Sequence, residues 1–224
     1  DATMDRVSRA SGIARASSAV DDESIGAESV VVDQRSARRQ RGRESVISAV
    51  LELIHEHGAI PASTEIASRA GVSPASLFRY FDSLDDLQHE AVRQHFESNH
   101  EFFAVPRIGE GALDERIATF VDARIALHNR IAPVARFGRG RVVEVPYFAQ
   151  SISAVRLEQS RQVRVHFASE LRPMRRSAAD DLVAVITTMT SFESWDLQRS
   201  DLGRSDRQVR RSWVEALAGL LGPG

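Results

Sequence analysis

Apolar residues return every three or four positions through almost all of this chain beyond residue 45, and that period belongs to the α-helix. Leu113, Ile117, Phe120, Arg124, Leu127 and Ile131 step by 4, 3, 4, 3 and 4, one stripe with a single cation in it. Val46, Val50, Leu53 and Ile54 open the series, and Gly58 is placed to end their helix as a left-handed cap. Ser73-Pro74 has the form of an N-cap and first-turn proline, starting a helix that runs to Phe81. Leu84, Leu87, Ala91, His95 and Phe96 mark a longer helix, to about Phe103. Pro133 is expected to close the helix of the stripe and to leave a short piece, Pro133–Arg141. Pro146 to about Leu171 reads as one long helix stopped by Pro173. Leu182, Ile186, Met189 and Phe192 predict another, to near Leu197, and Val209, Trp213, Ala216 and Leu220 predict the last. The β-branched runs Glu28–Asp33 and Arg141–Val145 are short and isolated. The class is therefore all-α, with about nine helices after residue 35.

Composition removes much chemistry. All 29 basic residues are arginine, and there is no cysteine. Thiol nucleophiles, thiolate zinc sites, iron–sulfur clusters and disulfides are excluded. So are lysine Schiff bases and the phosphate loop that ends in Lys-Ser/Thr. The lack of cysteine suits a reducing cytosol. No apolar run reaches about 18 residues, so no membrane span is expected, and no apolar signal-peptide core opens the chain. The start at Asp1 reads as a processed or partial chain.

Charge divides the sequence. Residues 1–34 hold seven acids and three arginines, for a net of −4. Rich in Ser, Ala, Asp and Glu and without an aromatic, they read as a disordered acidic tail. Residues 35–83 carry +2, with Arg35, Arg38, Arg39, Arg41 and Arg43 crowded together, and residues 84–224 are neutral.

The most informative stretch is Thr64 to Phe81. Two short helices meet at Gly71, where a tight inter-helix turn needs a positive φ. Ala67, four residues earlier, lets the helices cross closely. Ile66, Ala70, Val72 and Leu77 form their small core, which turns Ser73, Ala75, Ser76 and Arg79 outward. A slim polar helix face of this kind fits a DNA major groove. The arginines upstream, Arg39, Arg41 and Arg43 among them, suit phosphates or a minor groove. Helix starts at Ser63/Thr64 and at Ser73 present backbone N–H groups to phosphate oxygens. A helix–turn–helix also occurs in packed bundles with no DNA role, and an Arg run is often only a solvated face.

From about Arg38 to Phe96 the chain resembles the DNA-binding domain of the TetR family of transcriptional regulators. The likeness rests on the Arg-rich lead, His57-Gly58, Glu65-Ile66-Ala67, Ala70-Gly71-Val72-Ser73, Ser76-Leu77-Phe78-Arg79-Tyr80-Phe81 and Asp85-Asp86-Leu87. Two positions depart from the family. Phe78 stands where a tyrosine usually touches a phosphate, and it is left to pack. Leu84 stands where a lysine is common, so contact leans on Arg79, Tyr80 and the upstream arginines.

The resemblance implies an N-terminal three-helix DNA-binding domain, 35–83, and a larger C-terminal ligand-binding and dimerisation domain, 84–224. It implies a cytoplasmic homodimeric repressor, not an enzyme, on a near-palindromic double-stranded operator. The dimer would form through Leu182, Ile186, Met189, Val209, Trp213, Leu217 and Leu220, though the same faces suit an intramolecular core. It further implies release by a largely apolar small-molecule effector among helices of the second domain. Candidate lining residues are Phe120, Arg124, His128, Phe137, Phe148, Ile152, Phe192 and Trp195. Arg124 is the most telling, since a buried arginine wants an anion or a paired acid. Glu193 is a candidate pair; an unpaired Arg124 facing the pocket would favour a carboxylate ligand. A regulator without an effector, controlled by a partner or by its acidic tail, remains open as an alternative.

An all-α enzyme is the third reading, with little behind it. His55 and His57 point apart on a helix, His89-Glu90 lacks a second histidine because Arg93 follows, and His95 and His100 do not share a face. No metal and no cofactor are expected. No Gly-x-Ser-x-Gly elbow occurs, and Gly138-Arg139-Gly140 has neither a third glycine nor a preceding strand.

Overall fold

The structure, a computed structural model, describes residues 22–58 and 61–222, with all of their side chains except those of 22–33 and 35. The chain divides into two units, Asp1–Gly42 and Arg43–Gly224. Of the expected acidic tail, residues 1–21 lie outside the described residues, and from Asp22 the backbone is helical. The run Glu28–Asp33 falls within that helix, and Arg141–Val145 is mainly a turn.

Ten α-helices appear among the described residues, with one 3-10 turn, one π turn and no strand. They are α1 (Asp22–His57), α2 (Ser63–Arg69), α3 (Pro74–Tyr80), α4 (Leu84–Ser98), α5 (Leu113–Gly140), α6 (Pro146–His166), α7 (Ala168–Leu171), α8 (Arg176–Met189), α9 (Phe192–Asp196) and α10 (Asp206–Leu221). None is long and apolar enough to cross a membrane.

Four helix ends differ from expectation: the helix expected from Leu84 to about Phe103 ends at Ser98 and a 3-10 turn, His100–Phe103, follows it, and the other three have reasons in packing or capping. α5 passes straight through Pro133. An internal proline removes one hydrogen bond and costs about 3 kcal/mol. Here Ile131, Ala132, Val134 and Ala135 are all buried on either side of it, so burial offsets that cost. The long helix expected over 146–171 breaks at Phe167, which is fully buried with its ring 5.3 Å from that of Phe120. The helix expected over 182–197 breaks at Thr190-Ser191, where the Ser191 side chain accepts from the Ser194 amide and starts α9.

Two apolar clusters hold the second unit. One joins α1 (from Val46 on), α2, α3 and α4 to Val134 and Phe137 of α5 and Phe148 of α6. The other gathers the middle of α5 with Val163, Phe167, Ile186, Trp195, Trp213 and Leu217. α10 lies on α5, and α8 lies on α6.

The second cluster takes in several of the residues expected at a dimer interface. Ile186, Val209, Trp213 and Leu217 are buried within the chain itself. Leu182 and Met189 are half-buried against the same core, and Leu220 is exposed.

Candidate nucleic-acid interface and helical cavity

The turn between α2 and α3 is built from local rules. Gly71 sits at φ +67°, beyond the end of α2. Its amide donates to the Ser68 carbonyl at 3.2 Å, and the Val72 amide donates to that of Ala67 at 3.0 Å. That pair of bonds is the Schellman ending, and it needs the left-handed residue that glycine supplies. Ser73 caps α3 as expected: its hydroxyl oxygen accepts from the Ser76 amide at 3.1 Å, and Pro74 takes the first turn. Ile66, Ala67 and Leu77 are buried between the helices, with Ala70 and Val72 against them.

This leaves one side of α3 free. Ser73, Ala75 and Arg79 are exposed, and Ser76 is half-buried. Arg79 donates to the Ser76 hydroxyl at 3.3 Å and lies 5.6 Å from the Tyr80 ring. Phe78, expected to pack, is instead 50% exposed and joins this outward face. At the start of α2 no side chain caps the helix; Thr64 is exposed and Ser63 half-buried. Leu84 packs against the helix–turn–helix core, so the departure at that position has a structural use.

Arg43 and Tyr80 are placed differently from the other expected DNA contacts. Arg43 donates to the Tyr80 carbonyl at 3.1 Å, lies 4.5 Å over the Phe81 ring and faces Glu90 at 3.7 Å. It braces the end of α3 from α1, while the Tyr80 ring is half-buried against the core. Arg39 and Arg41, also on α1, are exposed and belong to the first unit.

Two further braces gave no motif in the sequence. The Ser45 hydroxyl donates to the Ala70 carbonyl at 3.0 Å, and Arg69 forks onto Glu56 with two bonds of 2.8 Å. Glu52 and Glu56, four apart on α1, were the only trace of the second.

A narrow cavity of about 30 Å³, open to solvent on one side, lies between α4, α5, α6 and α9. Of the residues expected to line it, His128, Phe148, Ile152 and Phe192 do. Phe120, Arg124, Phe137 and Trp195 do not. Phe137 is buried in the first cluster with its ring edge-on to Phe148, and Trp195 lies behind Phe192 in the second. Arg124 turns toward α6, donating to the Gln162 side chain at 3.0 Å and the Gln159 carbonyl at 3.4 Å. Burial lowers its pKa to about 10, with Glu158 opposing the shift. Glu193 is not its partner.

Glu193 instead accepts from Arg139 at 2.8 Å and from Arg156 at 2.6 Å, at the cavity rim. Burial pushes its carboxyl up, but the Arg139 and Arg156 bonds outweigh this and hold it at about 2. His128 is fully buried, with Nε2 3.0 Å from the Thr190 carbonyl. Burial holds it neutral, with its pKa lowered to about 4. A carbonyl only accepts, so the proton is on Nε2 and Nδ1 carries a lone pair.

Residues 46–91 match the profile of bacterial regulatory proteins of the tetR family. Among solved structures, a tetR-family transcriptional regulator from Streptomyces coelicolor aligns with a TM-score of 0.64 at 18% identity, over 81% of this chain and 80% of that one. A transcriptional regulator from Rhodococcus sp. Rha1 aligns at 0.59 and 16% identity, over 80% and 95%. The multidrug binding protein EbrR, solved with imidazole, aligns at 0.55 and 18% identity, over 84% and 92%. These are likenesses of fold. Among curated protein sequences none matches the chain.

Proposed function

We propose, from the match of residues 46–91 to the tetR family of bacterial regulatory proteins, a cytoplasmic repressor of that family, a homodimer that holds a near-palindromic operator and releases it when a small molecule enters the cavity. The observation that carries the DNA half is the outward face of α3. It is narrow and polar apart from Phe78, has one arginine at its far end, and is fixed by a cap, a glycine turn and the Arg43 brace.

Ser73, Ala75, Ser76 and Arg79 then read base edges, and Phe78 makes apolar contact of the kind a thymine methyl accepts. Ser63 and Thr64 contact phosphate at the start of α2, and Arg39 and Arg41 add attraction to the backbone. Arg43 and Tyr80 orient α3 instead of touching DNA. Two subunits pair through the outer faces of α8 and α10, where Val185 and Leu220 are exposed. Their recognition helices then lie about 34 Å apart, one turn of B-DNA.

The effector half is supported by Val92 and Phe96. Both sit on α4, which follows the recognition helix directly, and both line the cavity. A ligand that binds better when α4 is displaced shifts the population toward the form that does not fit the operator.

Selection of bound sites from fragmented genomic DNA, with Arg79→Ala in parallel, tests the reading. The expected result is a near-palindrome whose binding weakens at least about tenfold in the variant. Weak, steeply salt-dependent binding to every fragment would overturn it.

A further inference from the structure

Three polar side chains besides the rim charges line the cavity, Ser151, Gln159 and His128, and of these His128 alone has a fully buried ring nitrogen without a hydrogen-bond partner. Resting on the reading of the cavity as an effector site, we propose that its ligand is a neutral, largely apolar molecule with one hydrogen-bond donor, an O–H or N–H, delivered to Nδ1 of His128.

Phe96, Ile131, Phe148, Ile152 and Phe192 make most of the wall apolar. For an anionic ligand the two rim guanidiniums are already drawn to Glu193. Arg139 gives Nε to Glu193 and another N–H to the Ala135 carbonyl at 3.1 Å, and its plane lies 4.2 Å over the Phe192 ring. Arg156 is bound to the same carboxylate oxygen. A cationic ligand finds Glu193 doubly bonded to those two arginines.

His128 is different. It lines the cavity and is fully buried, and Nδ1 has no hydrogen-bond partner. Thr190 fixes the ring and its tautomer from the far side, so the side chain offers an acceptor and nothing else. A buried acceptor left unmatched is costly, and a ligand donor removes that cost. Trp195 Nε1 is also without a partner, but Trp195 does not line the cavity.

The test is equilibrium dialysis of the full chain with 4-propylphenol, 4-propylanisole and 4-propylbenzoate. The phenol and anisole differ chiefly in the donor, and the benzoate supplies an anion. Expected is a preference for the phenol over the anisole of about tenfold, the worth of one buried hydrogen bond, with the benzoate weaker than the phenol. His128→Phe keeps a ring at the site and removes the Nδ1 acceptor, so it should bind phenol and anisole alike. Should that variant fail to fold, the comparison in the unaltered protein still decides. Equal binding of phenol and anisole, or tightest binding of the benzoate, overturns the ligand class and leaves the effector reading standing. Binding of none of the three up to their solubility overturns both.

Discussion

The turn joining α2 to α3 and the middle of α5 satisfy their polar groups in opposite ways. At the turn, the backbone and cap bonds close within five residues, Gly71 to Ser68, Val72 to Ala67 and Ser76 to Ser73, and Arg43, Ser45 and Glu56 brace it from α1. The side chains that remain point outward. In α5, Arg116, Arg124 and His128 are buried, and apart from one bond of Arg116 to the Gly111 carbonyl their side-chain partners lie 35 to 62 residues away. A region fixed by short-range bonds leaves its surface free for recognition. A region whose interior is polar ties its stability to distant groups. Changes at the first should alter DNA binding with small effects on folding, and changes at the second should do the reverse.

The sharpest test of the second half is Arg116→Ala. Arg116 forks onto Glu170 at 2.8 and 2.5 Å and also donates to the His166 carbonyl at 2.8 Å, with its side chain 5% exposed. Removing one partner of a buried pair leaves the other charge uncompensated, at about 3 kcal/mol or more. Urea unfolding should show that loss. A change below about 1 kcal/mol would mean that the pair is solvated in practice and that the contrast between the regions is overdrawn.

Acid should separate the regions next. His95 and His128 both have pKa values lowered to about 4, by burial first, and at His95 also by His55 from α1 and Arg130 from α5. An unfolded histidine takes its proton near pH 6.5. The unfolded chain therefore binds more protons between pH 6.5 and 4, and stability falls as pH drops through that window and is unaffected above it. Each histidine contributes on the order of 2 kcal/mol to the fall. His128→Gln should flatten the pH 6.5–5 part of the curve, where carboxylates still titrate little. A curve of unchanged slope would show that His128 is not held neutral by burial.

How much of this was legible in the sequence follows the same division. Gly71, Ser73-Pro74 and Ala67 act on neighbours in the chain, so the helix–turn–helix and its outward residues could be read directly. Phe78 could not, because nothing local says whether an aromatic at the end of a seven-residue helix finds a wall to pack on. Nor could Arg43, whose Arg-rich context suggested phosphate; its partner Tyr80 is 37 residues on. In the second half the stripe on α5 located the buried face and picked out Arg124. Its partners on α6, and the pairing of Glu193 with Arg139 and Arg156, depend on how helices stack, which periodicity does not encode. Proline 133 misled for the same reason: the local rule was outweighed by burial on both sides.

Within the turn, glycine should matter more than the serine cap. A Cβ at Gly71 would meet nothing within 4 Å, so Gly71→Ala carries only the backbone penalty of φ +67°. That is about 1–2 kcal/mol, and Gly71→Asn should recover part of it because asparagine tolerates the left-handed region. If alanine and asparagine cost the same, something other than the backbone angle sets the turn.

The smallest effect on stability is expected at Ser73, where cap and contact can be told apart. Ser73→Ala removes the acceptor for the Ser76 amide and should cost about 1 kcal/mol. Ser73→Asp keeps an acceptor and places a negative charge at the start of a helix, so stability should return. That same charge faces the phosphates if α3 enters the groove as proposed. Ser73→Asp should therefore fold like the parent and bind operator much more weakly, while Ser73→Ala folds less stably and binds better than Ser73→Asp. Thermal unfolding and operator titration on the two variants make the comparison. If Ser73→Asp retains both stability and binding, the N-terminus of α3 does not approach the DNA backbone, and the outward face must be presented by another part of the helix.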